Sequence, residues 1–215
     1  MKLPLTNTLR KRIHVETAIL QDEIMEVVYA IADKPVLHGG TAIWRCYGGN
    51  RFSEDLDFYF LAAEDFERRL HEATAARGLK IIKYKKTQNT VFAKITNGSV
   101  EVRLEVGLRR PKDYSIRPYE KADGSMLDIY TLSPEALEIE KISAYESRML
   151  VRDIYDIYHL RNMIEDDANV RKKMKSFLAG IQKPSDERTL RTIVYAGLIP
   201  TFQQMIDALK GRFSQ

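Results

Sequence analysis

The stretch VLHGGTAIWRCYGGNRFSEDLDFYF, Val36–Phe60, decides the fold. A Gly-Gly-Thr turn is followed, after thirteen residues, by two aspartates that are separated by a single leucine, Asp55 and Asp57. In a strand, alternate residues share a face. The sequence therefore predicts that Leu56 and Phe58 point into the core, while both aspartates point the other way.

Two carboxylates on one strand face raise each other's pKa unless a cation neutralises them. Such oxygen ligands suit Mg²⁺ or Mn²⁺, and Mg²⁺ usually takes one or two carboxylates together with water and substrate phosphate. A bare Asp-x-Asp is also typical of a solvated edge strand. The preceding turn favours the metal site, because backbone N–H groups at the start of a helix can hold phosphate oxygens. No GK[ST] Walker sequence and no GxGxxG fingerprint occurs.

Composition limits the remaining classes of protein. The chain has 215 residues, of which 44% are hydrophobic, so it forms one domain or two small ones. Its net charge of +4 is as compatible with ordinary solubility as with a polyanionic partner. Cys46 is the only cysteine, which excludes an internal disulfide and a cysteine-rich zinc site. No signal peptide or membrane span is indicated, so we expect a cytoplasmic protein without a membrane partner.

Hydrophobic periodicity predicts an α/β region followed by helices. Ser133 and Pro134 resemble an N-cap and the first helical residue, and everything beyond them is helical in pattern. We place a boundary near residue 130, giving an α/β domain 1–130 and a helical domain 131–215 that packs against it. Two longer helices are expected at 7–32 and 66–78, and a short helix is expected from its N-cap at Thr41 to Gly48. The expected strands lie at 36–37, 55–61, 79–84, 90–96, 100–108 and 127–132.

A third carboxylate is predicted on the strand at 100–108. Alternation there buries the valines and leaves Glu101, Arg103 and Glu105 on the opposite face. Glu105 is our candidate to join the aspartates. A cross-strand ion pair of Glu105 with Arg103 or with a lysine is the open alternative.

Two helices of the second half carry unusual charges. Lys141 interrupts an apolar row, so it either extends past the core to water or reaches a buried anion. Asp153 and Asp156 begin the otherwise apolar stripe of the next helix. A purely structural alternative is that Asp153 caps this helix and Arg152 pairs with Asp156.

A lysine cluster surrounds Tyr84 and consists of Lys80, Lys83, Lys85 and Lys86. It could contact an RNA backbone or simply protect an edge strand from pairing. We favour the second interpretation slightly.

The glycine turn with its spaced Asp55-Leu56-Asp57 resembles the nucleotidyltransferase fold of the DNA polymerase beta superfamily. More narrowly, HGGTAI followed by RFSEDLDF resembles the AbiEii/AbiGii toxin family. That family also has a lysine helix and an Arg-Asp-x-Tyr-Asp helix, which correspond here to EALEIEKISA and RDIYDIYHL. Together the motifs cover residues 38–160. The resemblance implies an α/β (α+β) protein with a mixed sheet and flanking helices, followed by a C-terminal helical bundle.

The same resemblance implies a role for each motif residue. The catalytic set is Asp55, Asp57, Glu105, Lys141, Asp153 and Asp156. The nucleotide-binding set is Gly39, Gly40, Thr41, Ser53 and Lys141. The Mg²⁺ or Mn²⁺ ligands are Asp55, Asp57 and Glu105.

The implied activity is Mg²⁺-dependent transfer of a nucleoside monophosphate from a nucleoside triphosphate to an acceptor hydroxyl. The resemblance favours an RNA acceptor such as the 3′ end of tRNA, and a toxin with a cognate antitoxin protein. Nucleotidylation of a protein hydroxyl is one alternative, and nucleotide binding without turnover is another. Retention of both aspartates and Lys141 argues against the last.

Overall fold

The computed structural model describes residues 3–165 and 168–213. The chain divides into two compact units. The sheet unit comprises Met1–Cys46 and Ser53–Leu132, and the helical unit comprises Tyr47–Phe52 and Ser133–Gln215. The expected domains 1–130 and 131–215 also include residues outside the described ranges, and their boundary stays a prediction.

A seven-stranded mixed sheet forms the centre of the sheet unit. Its strands lie in the order β3-β4-β5-β2-β1-β7-β6. The β1–β7 and β2–β5 pairs are parallel, and the other neighbouring pairs are antiparallel. The strands are β1 Val36–His38, β2 Leu56–Tyr59, β3 Lys80–Lys86, β4 Thr90–Thr96, β5 Glu101–Gly107, β6 Tyr114–Glu120 and β7 Met126–Leu132.

Alternating apolar residues bury one face of this sheet, as predicted. Leu56 and Phe58 of β2 are fully buried, and so are Val102, Leu104 and Val106 of β5. The polar residues between them lie on the second face, as the period of two requires. The second face therefore carries the candidate site residues of β2 and β5.

Four helices belong to the sheet unit: α1 Leu5–Thr8, α2 Arg12–Ile31, α3 Gly39–Cys46 and α4 Phe66–Ala75. The prediction of one helix over 7–32 is wrong at its start. The backbone is extended at Lys11, and the short helix before it is tied to Ala122 by a hydrogen bond from the Thr6 N–H at 3.0 Å. Leu5, which lies before the predicted helix, and Leu9 are both buried in this arrangement.

Strand β6 was not predicted from the sequence. It lies at the edge of the sheet beside β7, and five of its seven residues are exposed. Pro118 in its interior cannot donate a ladder hydrogen bond, which an edge strand tolerates and a central strand does not. Exposure and proline together removed the alternating pattern that marks a strand.

The helical unit contains α5 Pro134–Arg148, α6 Val151–Leu160, α7 Ala168–Gly180, a 3₁₀ turn Glu187–Thr189, α8 Leu190–Ile193 and α9 Phe202–Phe213. The predicted start of α5 is confirmed, because the Ser133 hydroxyl accepts from the Ala136 N–H at 3.2 Å and Pro134 follows the cap. Met149 adopts a left-handed conformation that ends α5. None of the described helices is long and apolar enough to cross a membrane.

The segment Tyr47–Phe52, which joins α3 to β2 along the chain, groups with the helical unit. Arg51 forms an isolated antiparallel bridge with Val194. The N–H of Phe52 donates to the Ile193 carbonyl at 2.8 Å, and the Tyr195 hydroxyl donates to the Gly49 carbonyl at 3.1 Å. The chain therefore enters the helical unit, returns to the sheet unit for β2, and enters the helical unit again after Leu132.

Candidate active site

The Gly-Gly-Thr turn begins α3 directly. The helix starts at Gly39, so Thr41 lies within its first turn, and the prediction of Thr41 as N-cap is wrong. The Thr41 hydroxyl instead donates to the Asp55 carbonyl at 2.5 Å, which fixes the turn to the start of β2. The N–H groups of a helix's first turn lack intrahelical acceptors, so Gly39, Gly40 and Thr41 present the donors that a phosphate needs.

The two aspartates lie on the second face of the sheet, as the alternation predicted. Nη2 of Arg103 on β5 donates to Oδ2 of Asp55 at 2.5 Å. Both side chains are part-exposed, so this ion pair contributes little to stability. Of the pairings left open from the sequence, Arg103 therefore pairs with Asp55 and not with Glu105.

Asp57 lacks a comparable ion pair among the described residues. Burial raises its pKa, and the charges of Asp55 and Glu105 raise it further, against the opposing influence of His38 and Arg103. Glu105 is the register neighbour of Asp57 on the adjacent parallel strand. The three carboxylates therefore concentrate negative charge at one place on the sheet.

Gly39 places the turn against the same carboxylate. Its φ is +73°, a conformation that side chains rarely adopt, and a Cβ added there would lie 2.5 Å from Oδ2 of Asp57. Only glycine allows the backbone to approach this closely. The Gly-Gly-Thr turn and the acid pair therefore lie next to each other within the sheet unit.

The donor chemistry of this site fits a divalent cation. All three side chains offer hard carboxylate oxygens, which Mg²⁺ and Mn²⁺ prefer, and Arg103 forms an ion pair with Asp55 only. Across residues 3–165 and 168–213, no group of three or more His, Cys, Asp or Glu is arranged to hold a metal ion. Ligation by Asp55, Asp57 and Glu105 stays a prediction.

Ser53, the remaining predicted nucleotide contact of the sheet unit, is buried. Its carbonyl accepts a hydrogen bond from Nε2 of Gln21 on α2 at 2.9 Å. This bond anchors the approach to β2 on a helix of the same unit. A contact of Ser53 with nucleotide stays a prediction.

The helical unit brings Lys141, Asp153 and Asp156 together. Nζ of Lys141 on α5 lies 2.8 Å from Oδ2 of Asp156 and 3.5 Å from Oδ1 of Asp153. Lys141 is 6% exposed and both aspartates are essentially inaccessible. Of the two alternatives for Lys141, the structure selects the contact with a buried anion, and that anion is supplied by α6.

Two arginines complete this ionic network. Nε and Nη2 of Arg51 donate to the two carboxylate oxygens of Asp156, each at 2.5 Å. Arg148 makes the corresponding pair of bonds to Asp153, each at 2.8 Å. Although burial raises the pKa of Asp156, Arg51 and Lys141 hold it below its usual value. Asp156 therefore pairs with Arg51 and not with Arg152, the partner considered from the sequence.

Glu138 lies one helical turn before Lys141 on α5. Its side chain is fully buried, and neither carboxylate oxygen has a hydrogen-bond partner among the described residues. Burial, and then the charge of Asp156, raise its pKa well above the usual value. Burial without a hydrogen-bond partner therefore favours the neutral form of the Glu138 carboxyl.

Sequence reasoning missed Arg51, Arg148 and Glu138. Arg51 lies inside the motif RFSEDLDF, but its acceptor is 105 residues away in the chain, and no local pattern connects them. Glu138 did carry a signal, because a spacing of three residues places it on the Lys141 face of α5.

A family described as "Nucleotidyl transferase AbiEii toxin, Type IV TA system" matches residues 26–213. The chain belongs to the AbiEii family. No curated protein matches it. The AbiEii match confirms the resemblance seen in the motifs, and it identifies the chain as a nucleotidyltransferase of a toxin family.

Solved structures share the fold of this AbiEii protein. JHP933 from Helicobacter pylori is 21% identical, with a TM-score of 0.64 over 93% of this chain and 91% of that chain. The nucleotidyltransferase toxin MenT4 from Mycobacterium tuberculosis H37Rv is 19% identical, with a TM-score of 0.60 over 93% and 82%. The antibiotic-resistance factor ANT(2'')-Ia is 14% identical, with a TM-score of 0.51 over 76% and 92%. These likenesses confirm the predicted nucleotidyltransferase fold.

Proposed function

We propose that this AbiEii protein transfers a nucleoside monophosphate from a nucleoside triphosphate to the 3′ hydroxyl of an RNA acceptor, such as tRNA, in the cytoplasm. We also propose that a cognate antitoxin protein controls it, as the toxin family implies. One observation carries the chemistry: the raised-pKa carboxylate of Asp57 lies where Gly39 begins α3, so an acid pair and a phosphate cradle share one site.

The residues of the sheet unit have distinct roles in this proposal. The first-turn N–H groups of Gly39, Gly40 and Thr41 bind the triphosphate. Asp55, Asp57 and Glu105 hold Mg²⁺ or Mn²⁺, which when bound neutralises phosphate charge and polarises the reacting phosphoryl group. The acceptor hydroxyl attacks the α-phosphorus in line, and pyrophosphate leaves.

The helical residues have a supporting role. Asp153 and Asp156 are neutralised by cations of their own unit, so we assign them to positioning Lys141. A contact between Lys141 and nucleotide phosphate remains part of the proposal. Lys141→Met tests it: a loss of triphosphate binding with unchanged Mn²⁺ binding supports the contact, and unchanged triphosphate binding contradicts it.

The direct test is a transfer assay with Mg²⁺, each labelled triphosphate in turn, and either total tRNA or a cell lysate. Asp57→Asn serves as the control, because it removes a charge but keeps the volume of the side chain. Label that enters RNA in an Asp57-dependent manner supports the proposal. Label that enters protein selects the protein-hydroxyl alternative, and triphosphate binding without transfer selects the binding protein.

A further inference from the structure

A groove on the second face of the sheet lies beside the candidate metal site. It has a volume of about 290 Å³ and is lined by Lys83, Lys85, Thr87, Thr90, Phe92 and Glu105. All six residues belong to strands β3 to β5 or to the connection between β3 and β4. The groove shares Glu105 with the carboxylate cluster, so the two features are continuous.

The strand register shows the direction of the groove. One row of aligned residues crosses the sheet from Lys85 to Phe92, Glu105 and Asp57. Three steps between neighbouring strands, at ~4.8 Å each, separate the ends of this row by about 14 Å. A ligand in the groove therefore lies over the edge strands at one end and reaches the acidic cluster at the other.

The chemistry changes along this row from basic to acidic. Lys83 and Lys85 are exposed on the edge strand, and neither forms an ion pair with another residue in the part of the chain that the structure describes. The ring of Phe92 is part-exposed, with Nζ of Lys83 at 5.4 Å from its centre. Proteins bind single-stranded nucleic acid with cations that contact its phosphate backbone and with aromatic rings on which its bases stack.

The lysines of β3 are not equivalent, which separates this groove from simple edge protection. Lys80 aligns with Thr96, farther along the second face, and Lys86 aligns with Val91 of the buried face, and neither lines the groove. Lys83 and Lys85 align with Lys94 and Phe92 on the second face. An edge that only needs charge against aggregation has no reason to direct two of its lysines toward an aromatic groove beside three carboxylates.

We infer that this groove binds the single-stranded end of the RNA acceptor, with phosphates on Lys83 and Lys85, a base on Phe92, and the terminal hydroxyl directed toward Glu105 and Asp57. The inference rests on the proposed function, because it names the surface that receives the acceptor of that reaction. It differs from the interpretation that the sequence slightly favoured, which was edge protection by these lysines.

The test compares two double variants that remove the same charge from the same strand. Binding of a fluorescent single-stranded RNA to the whole protein is measured by anisotropy, without triphosphate, at several salt concentrations. Lys83→Ala with Lys85→Ala is expected to weaken binding about tenfold and to reduce the salt slope by about 1.4, since each phosphate contact contributes about 0.7. Lys80→Ala with Lys86→Ala is expected to change both values far less.

A third variant tests the aromatic contact. Phe92→Leu keeps an apolar side chain but removes the stacking face, and we expect about tenfold weaker RNA binding with an unchanged salt slope. Urea unfolding of each variant identifies any change in binding that is caused by misfolding.

The outcomes separate this inference from the proposed function. Equal losses in the two double variants, or no RNA binding by the unmodified protein, overturn the inference even if nucleotide transfer occurs. Selective loss in Lys83→Ala with Lys85→Ala supports the inference even if no transfer is detected, in which case only the proposed function fails. Label that enters a protein acceptor equally well in both double variants also overturns it.

Discussion

Two pairs of aspartates in this chain have the same charge and very different surroundings. The strand pair, Asp55 and Asp57, has an ion pair from Arg103 to Asp55 only, and the pKa of Asp57 is raised by burial and by the neighbouring carboxylates. The helix pair, Asp153 and Asp156, has three cationic side chains within hydrogen-bond or ion-pair distance, and the pKa of Asp156 is lowered.

The helix pair already has cationic partners on both carboxylates, whereas the strand pair has one, on Asp55 only. A buried carboxylate that is fully bonded to arginine and lysine has little capacity to bind a metal ion. A cluster of carboxylates with too few cations is destabilised until a ligand supplies positive charge. Sequence motifs present both pairs as equally catalytic, whereas their different surroundings support our proposal that the strand pair binds the metal and the helix pair positions Lys141.

Replacing one aspartate of each pair by asparagine should give the largest contrast in stability and in transfer activity. Asp156→Asn leaves Arg51 buried without its carboxylate and Lys141 with only the longer contact to Asp153, so we expect the free energy of unfolding to fall by about 3–5 kcal/mol. Asp57→Asn should change that free energy by at most about 0.5 kcal/mol, yet lower transfer about 10³-fold. Urea unfolding and the transfer assay measure the two effects. A large loss of stability in Asp57→Asn would contradict the comparison.

A methyl group added at Gly39 tests the importance of the close contact between this residue and Asp57. Gly39→Ala should lower stability by about 1–2 kcal/mol because its φ is positive, and it should also displace the Asp57 carboxylate and reduce transfer about 10²-fold. Gly78→Ala is the matched control, since its φ is +72° and nothing lies within 4 Å of the added carbon. Equal activity in the two variants would show that the close approach is unimportant.

Glu138 makes the helix network sensitive to pH. Its folded-state pKa is raised above the usual 4.5, so the folded state binds more protons than the unfolded state between 4.5 and the folded value. Its contribution to stability is complete below pH 4.5 and is lost as pH rises, by up to about 1.4 kcal/mol per pH unit. Glu138→Gln should flatten this dependence in urea unfolding at several pH values. A pH dependence as steep as that of the unmodified protein would contradict this assignment.

The smallest expected effect concerns the single ion pair of the strand aspartates. Arg103→Gln removes a cation that competes for Asp55, so Mn²⁺ affinity should rise about fivefold, which corresponds to about 1 kcal/mol. Lys94→Gln removes a charge from the neighbouring strand, where it pairs with Glu101 and not with Asp55. Titration with Mn²⁺ should give a clearly smaller change for Lys94→Gln. Lower affinity in Arg103→Gln would show that the guanidinium supports the site.

Local patterns were sufficient to predict much of the sheet unit. The alternation in β2 and β5 identified the buried and polar faces, because a half-buried strand has a period of two. The same rule failed for β6, where Pro118 and general exposure leave no alternation. The start of α5 was predictable because a serine cap and a following proline act through neighbouring residues only.

Contacts between distant residues could not be predicted in this way. Arg51 and Asp156 are joined only through the tertiary structure, and the charge of neither residue identifies the other. Arg103 pairs with Asp55 because of the parallel register of β2 and β5, which could not be predicted from the sequence. The different surroundings of the two acid pairs are therefore visible only in the tertiary structure.

The path of residues 47–52 limits how this protein can be divided. A fragment that ends at Leu132 would keep every strand and the whole strand acid pair, but its Arg51 would lose Asp156 and its Phe52 would lose Ile193. A fragment that begins at Ser133 would keep Asp156 and lack Arg51. Each fragment would separate the buried Arg51–Asp156 pair, so we expect neither half to fold stably when it is expressed alone.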